Sequence, residues 1–169
     1  MPNSDPATPF RIRPIDRTSD AEFELVANRM RETLVEVLGA ERGGGMYTME
    51  WLIARARFHV DPTACLGEIL LAVDGSDVVV GHTILRVESS EEGGKFGLFS
   101  TIYVLPDARR LGVASALIRA GLAWFSARGL TLFRTYTDEH NAPLIRLFES
   151  EGFAVEEVRN EFAVLAKRL

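Results

Sequence analysis

Between Phe99 and Phe125 the apolar positions of this chain change rhythm. Ile102, Tyr103 and Val104 form an unbroken run of the kind that fills a buried strand. Pro106, which has no N–H to give to a sheet ladder, ends it. Past a short turn, Leu111, Ala114, Leu117, Ile118, Gly121, Leu122 and Phe125 recur at the spacing of one helical face. The pattern predicts a buried strand that turns tightly into a helix lying back on the sheet.

The same two rhythms organise the rest of the chain. Phe10–Pro14 alternates apolar and basic residues and reads as a first strand, placed at an edge by Pro14. Thr18-Ser19-Asp20 can cap a helix whose apolar face is Phe23, Val26, Ala27, Met30, Leu34 and Leu38. Gly39 and the run Gly43–Gly45 end it, and this stretch is expected to be a mobile linker. A second helix is predicted over Thr48–Phe58. Glu68–Val73 and Val78–Val87 read as strands around an Asp74–Asp77 turn, and a polar loop, Glu88–Lys95, leads into the strand ending at Val104. After the central helix come a strand at Leu130–Tyr136 and a short helix capped by Asn141 and ended by Gly152. Two closing strands follow, Phe153–Val158 and Asn160–Lys167. The expected fold class is α/β of the α+β type: a single mixed, mostly antiparallel sheet of about seven strands flanked by about four helices.

Size and composition narrow the function classes. The 169 residues suit one domain, expected over 10–169 behind a flexible leader at 1–9. That leader is polar and proline-rich, without the basic start and apolar core of a signal peptide. No apolar run approaches the ~18 residues a membrane helix needs, so no membrane partner is expected. The net charge of −5 argues against nucleic acid, which calls for clustered basic surface. Cys65 is the sole cysteine, so no internal disulfide can form, and a cytoplasmic setting is expected.

Against that acidic balance, Arg109 and Arg110 stand out. They fall where the central helix begins, at the positive end of its dipole, where a cation is unfavourable by a few tenths to ~1 kcal/mol. Free backbone N–H groups point outward from the same end. Gly112 leaves room for close approach to the backbone, and Ala114 and Ser115 keep the next turn small. A bound anion, most simply a pyrophosphate, repairs both irregularities. The triple glycine at Gly43–Gly45 lacks the Lys-Ser/Thr pair of a phosphate loop, and His59 and Asp61 lack further ligands at metal-site spacing, so no metal is expected.

Arg109-x-x-Gly112-x-Ala114, preceded by Val104-x-Pro106-Asp107, resembles the acyl-CoA loop of the GNAT superfamily of N-acetyltransferases. Asn141, Leu144, Phe148 and Glu151-Gly152-Phe153 resemble that family's next segment. The resemblance covers roughly Ile69–Leu169 and implies the acyl-CoA N-acyltransferase fold, with acetyl-CoA as acyl donor. It implies that backbone N–H groups across Arg109, Arg110, Leu111, Gly112, Val113, Ala114 and Ser115 hold the pyrophosphate. Backbone groups at Ile102 and Val104 would bond the pantetheine arm where two strands splay, and Asn141 would contact its sulfur end. The implied reaction is direct transfer of acetyl to a primary amine of a small-molecule or peptide acceptor. The alternative is a non-catalytic acyl-CoA-binding or regulatory module of the same fold.

One position departs from the family: Phe148 stands where many members carry the tyrosine that protonates the leaving thiolate, and phenylalanine has no proton to give. Glu88, Glu50, His82 and Tyr136 are conceivable bases, none of them singled out by the sequence. In the resembled family the helices near Tyr47, Glu50 and Trp51 wall off the acceptor pocket. Homodimers are common there, and no interface is legible here.

Overall fold

A computed structural model describes residues 9–169; the leader expected over 1–9 lies, Pro9 apart, outside them. The described residues form seven strands and five helices. In order these are β1 (Phe10–Pro14), α1 (Asp20–Leu38), α2 (Ala40–Gly45), α3 (Met49–Val60), β2 (Gly67–Asp74), β3 (Val79–Ser89) and β4 (Lys95–Val104). After a 3₁₀ turn at Pro106–Ala108 come α4 (Val113–Ser126), β5 (Leu132–Asp138), α5 (Ala142–Ser150), β6 (Ala154–Arg159) and β7 (Phe162–Arg168). One sheet runs β1-β2-β3-β4-β5-β7-β6. Every neighbouring pair is antiparallel except β4 with β5. That parallel pair is joined through α4, because parallel strands need a long crossover.

Coverage of the sheet explains the sequence of its central strands. Ile69, Leu71 and Val73 of β2 join Phe23, Val26 and Ala56 in a core beneath α1 and α3. Leu70 and Ala72 point the other way, into a core with Leu117, Ile118 and Phe125 of α4 and Phe148 of α5. With helices on both faces, β2 is apolar at successive positions rather than alternating. β6 is exposed throughout and closes the far edge. Asn160 and Glu161 both take positive φ (52° and 68°) to make its two-residue hairpin turn into β7.

The sequence reading needs three corrections. The stretch after Gly39 is helical, not a linker: Gly43 packs so closely on the backbone of Leu34 and Val35 that a Cβ would collide with it. Leu111 is not on the buried face of α4. The left-handed Gly112 (φ 82°) starts the helix at Val113, two residues past Leu111, leaving Leu111 62% exposed and giving the buried position to Val113. Glu88 is in a strand, paired with Phe96, so the polar loop begins only after Ser89. The Ser19 and Thr48 hydroxyls cap α1 and α3 by accepting from Glu22 and Trp51 N–H.

α4 approaches the sheet closely because Gly121 lies against the ring of Phe99. Phe99 also meets Phe125, Phe148 and Phe153 edge-on, with centroids 5.4–6.1 Å apart. Gly121→Ala therefore forces the ring off its position. A loss of about 1–3 kcal/mol is expected in urea unfolding, and an unchanged midpoint would mean that the helix–sheet spacing is slack.

Candidate functional site

β4 and β5 pair over three residues only, Gly97–Phe99 with Phe133–Thr135. The cause sits at the next position. Ile84 of β3 faces Thr101 while Leu85 faces Phe99, so Ser100 is an extra residue bulged out of β4. A bulge bends its strand and increases the twist. Beyond it β4 stays with β3, as far as Val104 opposite Gly81, and β5 stays with β7, as far as Asp138 opposite Phe162. The Thr135 hydroxyl donates to Phe99 O at 3.1 Å where the strands part. The resulting wedge is a cleft of about 290 Å³. Ile102, Tyr103 and Val104 form one wall, Asn141, Leu144 and Leu147 the other, and the C-terminal half of α1 covers it.

The start of α4 opens onto this cleft through Ala114. Gly112 caps the helix with no side-chain hydrogen bond among the described residues. The first bond back to the cap is Ala116 N–H to Gly112 O at 3.0 Å. The preceding amides of Val113, Ala114 and Ser115 thus lack intrahelical acceptors. Arg110 is also left-handed (φ 65°), a costly conformation for a non-glycine residue. Left-handed residues ahead of a helix turn successive N–H groups inward and make an anion-binding concavity.

The two arginines part company. Arg109 Nε donates to Val104 O (2.9 Å) and Nη2 to Glu36 of α1 (2.8 Å), with its guanidinium carbon 5.8 Å from the Tyr103 ring centroid. It links α1 to β4 while its side chain, 43% exposed, also lines the cleft. Arg110 is exposed, with no acidic partner among the described residues. Of the other residues singled out in the sequence, Ile102, Val104, Ala114 and Asn141 line the cleft, whereas Leu111 and Val113 border a separate hollow with Phe10 and Leu105. Asn141 caps α5 by accepting from Leu144 N–H (3.4 Å) and donates to the Thr137 hydroxyl (3.2 Å). Phe148 is fully buried against Phe153.

A second hollow of about 190 Å³ lies on the other face of β4, between α1 and α3. Thr33 borders both spaces, and consecutive residues Thr101 and Ile102 face one each, so the β4 bulge stands between them. His59 lines the second hollow and is 2% exposed. Its Nδ1 lies 2.8 Å from Arg55 O, which as a carbonyl can only accept, so Nδ1 carries the proton and Nε2 a bare lone pair. Burial pushes the His59 pKa down to about 4, helped by the charges of Arg55 and Arg86, although the bond to Arg55 O opposes the shift. Nε2 has no partner among the described residues, and neither has the Thr101 hydroxyl.

None of the four bases considered from the sequence borders either space. Glu88 and Tyr136 line a polar groove toward β6 and β7, Glu50 is exposed on α3, and His82 is completely buried. His59 was visible only as a weak metal ligand. Its spacing from Leu52 and Ala56 puts it on the buried face of α3, and that was the available signal. Among the described residues no group of three or more His, Cys, Asp or Glu could hold a metal, and no helix is long and apolar enough to cross a membrane.

Residues 28–153 match the family model described as Acetyltransferase (GNAT) family. The chain is similar to the mycothiol acetyltransferase of Thermobispora bispora, 39% identical over 77 residues that cover 44% of this chain and 26% of that protein. It is 32% identical to that of an Arthrobacter species over 111 residues, 64% of this chain and 33% of that protein. The chain thus spans about a quarter to a third of the length of the curated relatives it matches. Its fold is similar to that of the PaiA N-acetyltransferase of Thermoplasma acidophilum in complex with coenzyme A. There the TM-score is 0.73 at 16% identity, over 95% of this chain and 99% of that one. YncA of Salmonella typhimurium with its cofactor acetyl-CoA gives 0.73 at 16% identity, over 95% and 94%.

The two buried imidazoles give the protein a pH signature. Burial, with the charge of Arg29 nearby, lowers the His82 pKa to about 3, as burial lowers that of His59 to about 4. Between pH 7 and 5 the unfolded chain takes up protons that the native state refuses, so stability is complete above about 6.5 and falls as pH drops. At pH 5 the loss is about 2 kcal/mol for each imidazole. Urea unfolding at the two pH values checks this, and equal stabilities would mean that neither ring is held neutral.

Proposed function

The chain belongs to the acetyltransferase (GNAT) family, and from that premise we propose that it transfers acetyl from acetyl-CoA to a primary amine by direct attack in a ternary complex. The observation that carries this reading is the wedge: an unpaired length of β4 beside an uncapped helix start. Acetyl-CoA supplies an activated acyl carbon and a thiolate leaving group. The residues present suit it. A diphosphate is complementary to the inward-turned amides from Arg110 to Ser115, with Arg110 rather than Arg109 as the counter-charge. An extended pantetheine arm can bond the backbone of Ile102–Val104 as an added strand, and Leu144 and Leu147 supply an apolar wall.

In this arrangement a β4 N–H at the bulge holds the negative charge that develops on the carbonyl oxygen. One such donor is worth about 3–4 kcal/mol in acyl transfer. The hollow between α1 and α3 receives the amine, so donor and acceptor meet at the bulge from opposite faces of the strand. Asn141, fixed by Thr137 and by its capping bond, closes the sulfur end of the wedge. The burial of Phe148 leaves protonation of the thiolate to the amine itself or to water. A thiol titrating near 8.5 is a tolerable leaving group without a dedicated acid.

Arg110→Glu is expected to weaken acetyl-CoA binding at least about tenfold, more at low salt, while shifting unfolding by less than about 0.5 kcal/mol. Calorimetry showing unchanged affinity would remove the diphosphate site. Free-thiol release from acetyl-CoA with mixed amines tests the transfer, and binding without turnover of any amine would defeat it. Phe148→Tyr, which restores the family's usual residue, is expected to bury an unpaired hydroxyl beside Phe153. The variant should lose about 1–3 kcal/mol and gain no turnover; a faster enzyme would show that the ring reaches the cleft.

A further inference from the structure

The hollow between α1 and α3 carries more information than its position. Its wall is apolar (Met30, Leu34, Leu52 and Ile84), and its mouth is formed by Tyr47 and Trp51. Those two rings stack at 4.1 Å with planes 12° apart, yet each remains about two-fifths exposed, at 40% and 44%. Exposed stacked aromatics beside a cavity offer a flat apolar surface to a ligand. Arg55 is the only charged residue along the lining, and no carboxylate borders it among the described residues. His59 and Thr101 both line the hollow, and His59 Nε2 and the Thr101 hydroxyl are buried with no hydrogen-bond partner among the described residues. A buried polar atom without a partner costs stability, so two on residues that line one cavity call for a ligand that supplies the missing bonds.

We propose that His59 and Thr101 receive the reacting amine of an acceptor whose remaining part is flat and apolar, an aryl-alkyl amine, seated on the Tyr47–Trp51 pair. The assignment rests on the acetyl-transfer reading and deepens it. His59 Nε2 accepts a hydrogen bond from the neutral amine's N–H, and the Thr101 hydroxyl supplies a second polar contact. That leaves the nitrogen lone pair free to point across the β4 bulge. The ammonium sheds one proton to solvent on entry. The lone pair then forms the C–N bond as the C–S bond breaks, and the second proton ends on the departing sulfur. His59 stays neutral throughout: it orients the amine and keeps no proton. A polyamine or other multiply cationic acceptor finds no carboxylate here for its second charge and meets Arg55 instead.

The experiment compares wild type, His59→Leu, His59→Gln, Thr101→Val and Trp51→Ala, with phenethylamine, tyramine and spermidine as acceptors and acetyl-CoA as donor. Wild type is expected to acetylate the aryl amines with kcat/KM at least about tenfold above that for spermidine. His59→Leu and Thr101→Val should each lose about ten- to hundredfold in kcat/KM. Their acetyl-CoA affinity should stay within twofold; the melting temperature of Thr101→Val should equal or exceed that of wild type, and that of His59→Leu, which trades an unpaired Nε2 for the lost Nδ1 bond to Arg55 O, should stay within a few degrees of it. A purely structural residue would not give that combination. His59→Gln, which can place an amide oxygen near the Nε2 position, should recover most of the activity. Trp51→Ala should raise KM for the aryl amines and leave kcat in place. Preference for spermidine, or undiminished kcat/KM in both His59→Leu and Thr101→Val, overturns the assignment. Acetyl-CoA that fails to bind wild type defeats the acetyl-transfer reading itself. Acetyl-CoA that binds without turnover of aryl amines defeats the acceptor assignment.

Discussion

The structure depends on an interruption: past Phe99 the parallel pair β4–β5 stops exchanging hydrogen bonds. In a sheet covered on both faces, unpaired backbone groups are expensive unless something else bonds them. Here the interruption is localised by one inserted residue, Ser100, and bridged at its edge by the Thr135 hydroxyl. The strands on either side keep their other neighbours, so the wedge is held open by two intact half-sheets and does not rely on a mobile loop. A rigid gap of this kind suits a ligand that bonds as a strand does, and the uncapped start of α4 beside it suits an anion.

Holding α1 over that gap requires polar contacts that reach across the fold. Tyr103 donates its hydroxyl to Glu32 at 2.7 Å, and Arg109 reaches Glu36 at 2.8 Å. Arg29, one turn earlier, donates to Val79 O. Burial together with the bond to Glu32 pushes the Tyr103 pKa up to about 12, so the phenol stays a donor at any physiological pH. Arg29, Glu32 and Glu36 share one stripe of α1 by helical spacing, beside the apolar stripe that packs on β2. The helix is therefore fixed by apolar burial along one line and by ion and hydrogen-bond contacts along the next. The second line sets the roof common to both cavities.

Each face of β4 serves a different partner. Ile102 and Val104 pack with α4 and α5, while Thr101 lines the hollow between α1 and α3 and Tyr103 reaches Glu32 of α1. Side chains alternate along a strand, and the extra residue at Ser100 resets which of them face which side. The two cavities thus lie on opposite sides of a single strand.

The order of the strands and of every helix but α2, the mixed sheet, the edge position of β1 and the helix caps at Ser19 and Asn141 were legible in the sequence. They follow from local chemistry: periodicity, a hydroxyl or amide before an apolar run, and proline or glycine where a ladder or helix must stop. The loop after β4 was legible for the same reason, as a glycine ahead of small residues. Other features only the tertiary structure decided. Arg109 read as half of an anion clamp, and its second tie, to Glu36 73 residues away, is announced by nothing near it in the chain. Gly43–Gly45 looked like a linker, because close approach to Leu34 and Val35 leaves no mark on composition. His59 stood out in the sequence only as an isolated metal-ligand candidate, and only the packing of α3 left its Nε2 buried without a partner among the described residues. Sequence fixes what each residue prefers for its own backbone. Which polar groups end up paired, and which are left waiting in a cavity, is set by contacts between segments far apart in the chain.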